Sequence, residues 1–448
     1  MERSYMGHMV GIVGGGAAGM MAAITAARQG ASVTLIEGND RLGRKLLSTG
    51  NGKCNLGNEK LSMEEYYTSH PKLLEKYLKR FGTADTVAFF KSVGVMVKSK
   101  NGYLYPTGEQ AAIVQDALRY EVREQGVNVV TDCKITRIKR DHSREQIHVQ
   151  GSGKDFWFDC VILACGSQAA PKTGSDGSGY QLARQLGHSL IPVVPALVQL
   201  KCREEYFRAV AGVRAEAKLS VYWQGQCIAQ EQGELQLTDY GISGIPVFQL
   251  SRIVNYLLTE KAEYHRQCEI EKSSSREIRA EKNAYNSLSK EVVVEIDFLP
   301  ENALEDLEQL QAERALLYGR KTVEEFFTGI LHKKLMLLFI KLAGLKAAES
   351  VAAVDKKKLQ QVYKLCKQWQ VHVIGSNSFE HGQVCAGGVP LDEVTNDLES
   401  KKVPGVYLAG ELLDVDGKCG GYNLQWAWCS GYLAGSAVAS IPKLKKYH

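Results

Sequence analysis

The chain has 448 residues, 44% of them hydrophobic and 23% charged, which exceeds one ordinary core and excludes a disordered or fibrous protein. The formal charge of +5 is spread widely and its densest basic run, residues 443–446, lies at the C-terminal end, so no nucleic-acid partner is expected. Eleven cysteines without a CxxC pair exclude a disulfide framework and a structural zinc site, so no metal is expected and reduced thiols fit a cytoplasmic setting.

VGIVGGG, residues 10–16, is a short apolar strand running into glycines, and AAGMMAAITAARQG after it reads as an alanine-rich helix. Gly14, Gly16 and Gly19 form GxGxxG at the junction. The first glycine turns the chain, the second admits a pyrophosphate, and the third lets helix and strand pack. The helix start, with Ala18 in its first turn, offers amides and a positive dipole end to phosphates. A second strand, residues 32–36, ends at Glu37, which suits both hydroxyls of an adenosine ribose and would repel a 2′-phosphate. FAD and NAD remain; NADP does not.

GRKLLSTGNGKCNLGN, residues 43–58, has neither helical nor strand period and reads as a long loop covering the cofactor, which favours FAD over NAD. Arg44 and Lys45 are within reach of a diphosphate, and Asn51, Cys54 and Asn55 of a flavin edge. Residues 126–140 then give two β runs, the second beginning near Ile135, and a hairpin follows around a Gly151–Gly153 turn. This meander feeds CVILACGS, a buried strand ending at small residues where Gly166 lets backbone approach a ligand. At this point the chain resembles the glutathione-reductase-type flavoproteins, with Cys165 where those proteins usually carry threonine.

Residues 193–300 hold short β runs, among them 217–223 and 292–298, and residues 301–369 read as successive helices. The charged stretch 269–282 reads as an exposed loop or helix. The most apolar window, residues 335–345, is interrupted by Lys341 and is too short to cross a bilayer, and no signal peptide is visible. The closing segment, residues 405–435, runs from a strand through Gly410 and Glu411 into a glycine-rich loop, then into a helix from about Tyr422. Gly410, Glu411, Asp414, Gly420, Gly421, Asn423 and Leu424 are the candidate contacts to the flavin end, and a helix start there would stabilise negative charge on the ring. Trp426 and Trp428 point apart on that helix and read as core. Cys54 and Cys419 read as small packing residues. Tyr240, His381 and Tyr422 are the weak candidates for a proton donor, each beside glycines in a site loop, and each of a type that is more often just a hydrogen-bonded structural residue.

GGGAAGMMAA, GRKLLSTGNGKCNLGN, ACGSQAAPKTGSDGSGY, GELQLTDYGISG and LAGELLDVDGKCGGYNLQWAWCSG together resemble the BaiN-like flavoproteins, a group that includes aminoacetone-oxidase-like enzymes. Members often have Arg where Lys53 stands, Thr where Gly57 stands and His where Asp239 stands. The resemblance implies an α/β fold with three parts. These are a Rossmann-type FAD domain split between residues 1–192 and 371–448, a β-rich substrate domain at 193–300 and a helical insert at 301–370. It also implies an FAD oxidoreductase using NAD(P)H-derived electrons to reduce a C=C bond conjugated to a ketone in a steroid-like bile acid. Oxidation of a small amine and an RNA-interacting flavoprotein are the alternatives. No second GxGxxG marks a dedicated nicotinamide domain, and the oligomeric state is not legible.

Overall fold

A computed structural model describes residues 8–272 and 291–440. The chain opens with β1 (Met9–Val13), α1 (Ala17–Arg28) and β2 (Ser32–Ile36). Val10, Ile12 and Val13 are all buried, as a strand covered on both faces requires. Residues 43–58, expected as an irregular loop, instead form a 3-10 stretch at Arg44–Gly52 and a short strand at Gly57–Asn58. Gly50 and Asn51, both left-handed, break that stretch. Helices at Pro71–Arg80, Thr83–Ser92 and Ala111–Glu124 follow. The chain then forms β3 (Asn128–Val130), the meander β4 (Ile135–Asp141), β5 (Gln146–Gly151) and β6 (Lys154–Phe158), and β7 (Cys160–Leu163).

A second compact unit spans Ala196–Ser378. It contains β8 (Leu200–Cys202), β9 (Arg214–Trp223), β10 (Gln226–Leu237), β11 (Gly241–Gly244), α2 (Ile245–Lys272), β12 (Val292–Asp297) and β13 (Trp369–Ser376). The six strands close an antiparallel barrel in the order β8-β11-β10-β9-β12-β13. Gln224 and Gly225, both at positive φ, make the two-residue turn of the β9–β10 hairpin, the geometry that matches strand twist. The helices between β12 and β13 do not build a core of their own. Their Phe326, Phe327, Phe339 and Tyr363 pack in one cluster with the barrel's Leu219, Val294, Ile296 and Trp369.

One boundary therefore moves. Residues 371–376, grouped above with the nucleotide domain, belong to β13, because pairing with β12 and β8 is what closes the barrel. The region read as β-rich also carries the 28-residue α2. Residues 273–282 of the charged stretch lie outside the described residues.

The chain returns to the first unit through β14 (Val384–Gly388), β15 (Val406–Leu408) and α3 (Tyr422–Ala439). The five-stranded sheet runs β15-β7-β1-β2-β3, all parallel, so strands from opposite ends of the described sequence share one sheet. Helices α1 and α3 pack at backbone distance. A Cβ on Gly431 would lie 2.4 Å from the Ala18 carbonyl oxygen, and one on Gly435 2.6 Å from that of Ala22. The fold is Rossmann-type α/β with a β-rich insertion. Among the described residues no helix is long and apolar enough to cross a membrane.

Candidate functional site

The turn after β1 is shaped by what its glycines exclude. A Cβ on Gly14, at φ 106°, would lie 2.4 Å from the Ala164 carbonyl oxygen, so only glycine lets this turn sit on the end of β7. A Cβ on Gly19 would lie 1.8 Å from the Gly14 carbonyl oxygen. At Gly16, by contrast, a Cβ would meet nothing within 4 Å. Two glycines seal the turn and the third fronts open space, at a helix start that no side chain caps.

Glu37 leaves β2 nearly buried, at 9% exposure, and its carboxylate is fixed on both oxygens. Oε2 accepts from the Gly15 amide at 2.7 Å, and Oε1 from the amide and side chain of Asn39 at 2.9 and 2.5 Å. The link into β4 zips alongside, with Asp132 and Cys133 amides donating to the Asn39 and Glu37 carbonyls. Ile135, buried, begins β4 just beyond. Arg44 turns to this end: it donates to the Asn39 side chain at 3.0 Å and to the Lys172 carbonyl at 3.3 Å.

Lys45 turns the other way and joins the two ends of the chain. Its Nζ lies 2.7 Å from Glu411 Oε2, which also accepts from Ser167 Oγ at 3.1 Å. Neither Arg44 nor Lys45 is thus held as a free diphosphate ligand. Their charges are already engaged by oxygens of Asn39, Lys172 and Glu411. Gly410 is clamped by α3: its amide donates to Ser430 Oγ and its carbonyl accepts from Trp426 Nε1. Trp428 likewise donates to the Leu56 carbonyl. Both tryptophans are core residues, as expected, and both also tie α3 to a loop of the site.

Gly420 and Gly421 lead into α3 with φ of 139° and 93°, and no side chain caps the helix. Asn55 pins the entry, its amide nitrogen donating to the Gly57 and Leu104 carbonyls and its oxygen accepting from the Gly421 amide. The Asn423 side chain exchanges two bonds with Gly417, so it shapes the loop instead of projecting from it. Leu424, half-buried, lies on the first turn. Asp414 points to a different neighbour: Oδ2 accepts from the amide and hydroxyl of Ser69 at 2.9 and 2.6 Å, while Oδ1 is buried without a partner. Asn51 is exposed, and Gly166, at φ 72°, leaves the end of β7 beside Ser175.

Burial pushes the Cys54, Cys165 and Cys419 thiols up to about 12, so none is a thiolate at neutral pH. Tyr422 is buried too, its ring edge against Tyr66 at 5.5 Å, and burial raises its phenol. His381 is exposed in the turn before β14. Tyr240 belongs to the other unit. Sequence reading missed Ser167, Ser430 and the pinning roles of Asn55 and Asn423. None of these carries a local signal; the small-residue spacing Gly431 to Gly435 does, for close helix crossing.

Residues 8–437 match the family model described as the HI0933-like protein Rossmann domain. The chain belongs to that family. It is 42% identical, over 97% of its length and 99% of the relative's, to a 3-dehydro-bile acid delta(4,6)-reductase from Clostridium scindens. It is 27% identical, over 96% and 98%, to a ribosomal RNA dihydrouridine synthase from Haemophilus influenzae. Among solved structures, the 3-ketosteroid-delta4-(5alpha)-dehydrogenase of Rhodococcus jostii RHA1 covers 98% of both chains at 16% identity, with a TM-score of 0.45. That likeness is too loose to carry an argument about activity.

Proposed function

We propose that this family member binds FAD in its first unit and reduces a C=C bond conjugated to the ketone of a steroid-like 3-oxo bile acid, with electrons from NAD(P)H. The observation that carries the reading is the 42% identity to the bile-acid reductase across nearly the whole of both chains. The site's geometry suits a dinucleotide. Gly14 and Gly19 fill space that no Cβ could share, Gly16 fronts open space, and two helix starts present uncapped amides.

In this reading Gly14, Gly16, Ala18 and Gly19 hold the pyrophosphate, Glu37 the adenosine ribose, and Ile135 and Arg44 border the adenine end. Glu411 and Lys45 take the polyol, and Asn51, Cys54, Asn55, Gly166 and Gly410 line the path. Bound FAD would supply the hydride chemistry. The residues around Gly420, Gly421 and Leu424 place the positive end of α3 where negative charge collects, while Asn423 and Asp414 set the loop before it.

The Haemophilus relative favours a second reading. The C5=C6 bond of uridine is also conjugated to a carbonyl, so a pyrimidine of RNA would undergo the same class of reduction. The two readings separate in one experiment. Holoprotein reduced with NADH or NADPH is mixed, without oxygen, with a 3-oxo-4,6-diene bile acid or with unmodified ribosomal RNA. The first reading expects flavin reoxidation with the bile acid alone; reoxidation by RNA alone replaces it with the second. Reoxidation by oxygen only, with an amine as the preferred reductant, would discard both.

A further inference from the structure

A short antiparallel ribbon pairs Tyr66 and Tyr67 with Gly417 and Asp416, and its register, carried on two residues, sets Ser69 opposite Asp414. Asp414 is 1% exposed, and its own amide donates to the Val389 carbonyl at 2.8 Å. Its Oδ2 takes both donors of Ser69, the amide at 2.9 Å and the hydroxyl at 2.6 Å. Among the described residues Oδ1 has no partner, and no Lys or Arg pairs with the carboxylate. Burying a carboxylate with no cation beside it is costly. A clamp on Ser69 would not need the charge, since an amide oxygen accepts from the same two donors.

From Ser69 the line continues to the surface. Its Oγ lies 2.9 Å from His70 Nδ1, and His70 Nε2 lies 3.4 Å from Asp392 Oδ2. His70 opens the helix Pro71–Arg80, its carbonyl accepting from the Leu73 and Leu74 amides, and its side chain is 31% exposed. Both ring nitrogens face oxygens, so a ring flip would set carbon against both. With the Ser69 proton on the Asp414 side, Oγ accepts Nδ1–H and Nε2 needs its own proton to meet Asp392, so the pair is imidazolium and carboxylate. With the acid protonated, Asp414 donates to Oγ, the Ser69 proton turns to Nδ1 and the imidazole is neutral. The two arrangements hold the same three protons and differ by two transfers, across 2.6 and 2.9 Å, with no side chain moved.

Asp414 lies in the loop from Glu411 to Gly420 and Gly421, the stretch assigned above to the polyol and the ring of FAD. A hydride from NAD(P)H carries one negative charge into that site. A buried acid that can be charged and discharged from outside is suited to answer such a change. We propose that Asp414 takes up one solvent proton through His70 and Ser69 when the holoprotein is reduced, and releases it by the same route when the hydride leaves for the substrate. His70 regains from water the proton it passes inward. Hydride thus enters from NAD(P)H and leaves to the C=C bond, while this proton enters from and returns to solvent. The inference rests on FAD binding in the first unit.

The test is the reduced-minus-oxidised infrared difference spectrum of the holoprotein without oxygen or substrate, in H2O and in D2O. Wild type should gain a carboxylic-acid carbonyl band that moves down in D2O, and Asp414→Asn should lack it. In weak buffer with a pH-indicator dye, uptake of this proton should keep step with flavin bleaching in wild type and lag about a hundredfold in Ser69→Ala. Ser69→Thr, which keeps a hydroxyl, should restore the timing, as a purely structural contact would not require. Flavin that bleaches with no new carboxyl band, or a band that survives in Asp414→Asn, overturns the inference and leaves the FAD reading standing. Should Asp414→Asn not retain flavin, Ser69→Ala decides alone, and uptake there in step with bleaching overturns the inference. A wild type that holds no flavin overturns both.

Discussion

Two three-residue polar clusters in the first unit have the same outline and opposite meanings. Ser167, Glu411 and Lys45 join the end of β7, the end of β15 and the loop after β2. Ser400, His188 and Glu393 have the outline of a serine–histidine–acid triad, with distances of 2.8 and 2.7 Å. In the second cluster every atom is used. Ser400 Oγ accepts from the Lys402 and Val403 amides, so its proton goes to His188 Nε2, and Nδ1–H goes to Glu393. Glu393 also accepts from the amide and hydroxyl of Ser189. The His188 side chain is 0% exposed, so no substrate reaches it. In the first cluster both bonds fall on Glu411 Oε2, and Oε1 bonds to no described residue. A saturated, sealed cluster holds a fold together; spare capacity in a half-open one leaves an acceptor for water or for the proposed cofactor.

The sharpest way to break this contrast is to remove Glu411. Glu411→Ala should weaken FAD binding to the apoprotein about a hundredfold, read by quenching of flavin fluorescence, because a charged acceptor contributes about 1.5–3 kcal/mol per bond. The melting temperature of the apoprotein should stay within about 1 °C, since Lys45 then simply meets water. A large loss of apoprotein stability would make this cluster structural and erase the distinction.

The sealed cluster should answer in the opposite way. Ser400→Ala strands two backbone amides and an imidazole nitrogen, and should lower the urea-unfolding free energy of the first unit by about 2 kcal/mol. FAD affinity of the folded fraction should change by less than about twofold. A variant that folds normally and loses FAD would assign Ser400 to the site instead.

Proton uptake sharpens the same comparison with a smaller effect. Burial holds His188 below its ordinary 6.5 despite the neighbouring carboxylate, whose attraction raises it. The unfolded chain thus takes up this proton at higher pH than the folded one. Stability is complete above 6.5 and falls as pH drops from there toward the folded value, by at most about 1.4 kcal/mol per pH unit. Glu393, held below its ordinary 4.5 against its own burial by bonds from Ser189 and His188, adds a second loss in more acid solution. Thermal melts between pH 7.5 and 5 should slope in wild type and flatten in His188→Gln. Equal slopes would assign the acid sensitivity to other groups.

These clusters also show where sequence reading stops. The glycines of the first turn, Glu37 and the start of α3 near Tyr422 are legible because each depends on neighbours within a few residues: a strand before, a helix after, a positive φ between. Ser167 with Glu411, or His188 with Ser400, depends on contacts 244 and 212 residues apart. Nothing local distinguishes such a serine from any other. The barrel was opaque for the same reason. Its hairpin turn at Gln224–Gly225 is a local signal, but β13 closes against β8 across the whole insertion, and a run such as Trp369–Ser376 pairs equally well on paper with either unit. The family resemblance supplied the split domain, which composition and periodicity alone could not.

The smallest expected effect tests the open cluster from its other side. Lys45 and Glu411 are only 24% and 16% exposed in their side chains, so the desolvation of both charges offsets much of their attraction, and the pair by itself adds little to stability. If Lys45 serves mainly to aim the Glu411 carboxylate, Lys45→Met should weaken FAD binding only about three- to fivefold, with the apoprotein's unfolding unchanged. The loss should shrink at high salt if it is electrostatic and persist if it is positional. A loss as large as that of Glu411→Ala would show that the ammonium itself, not the carboxylate it holds, meets the cofactor.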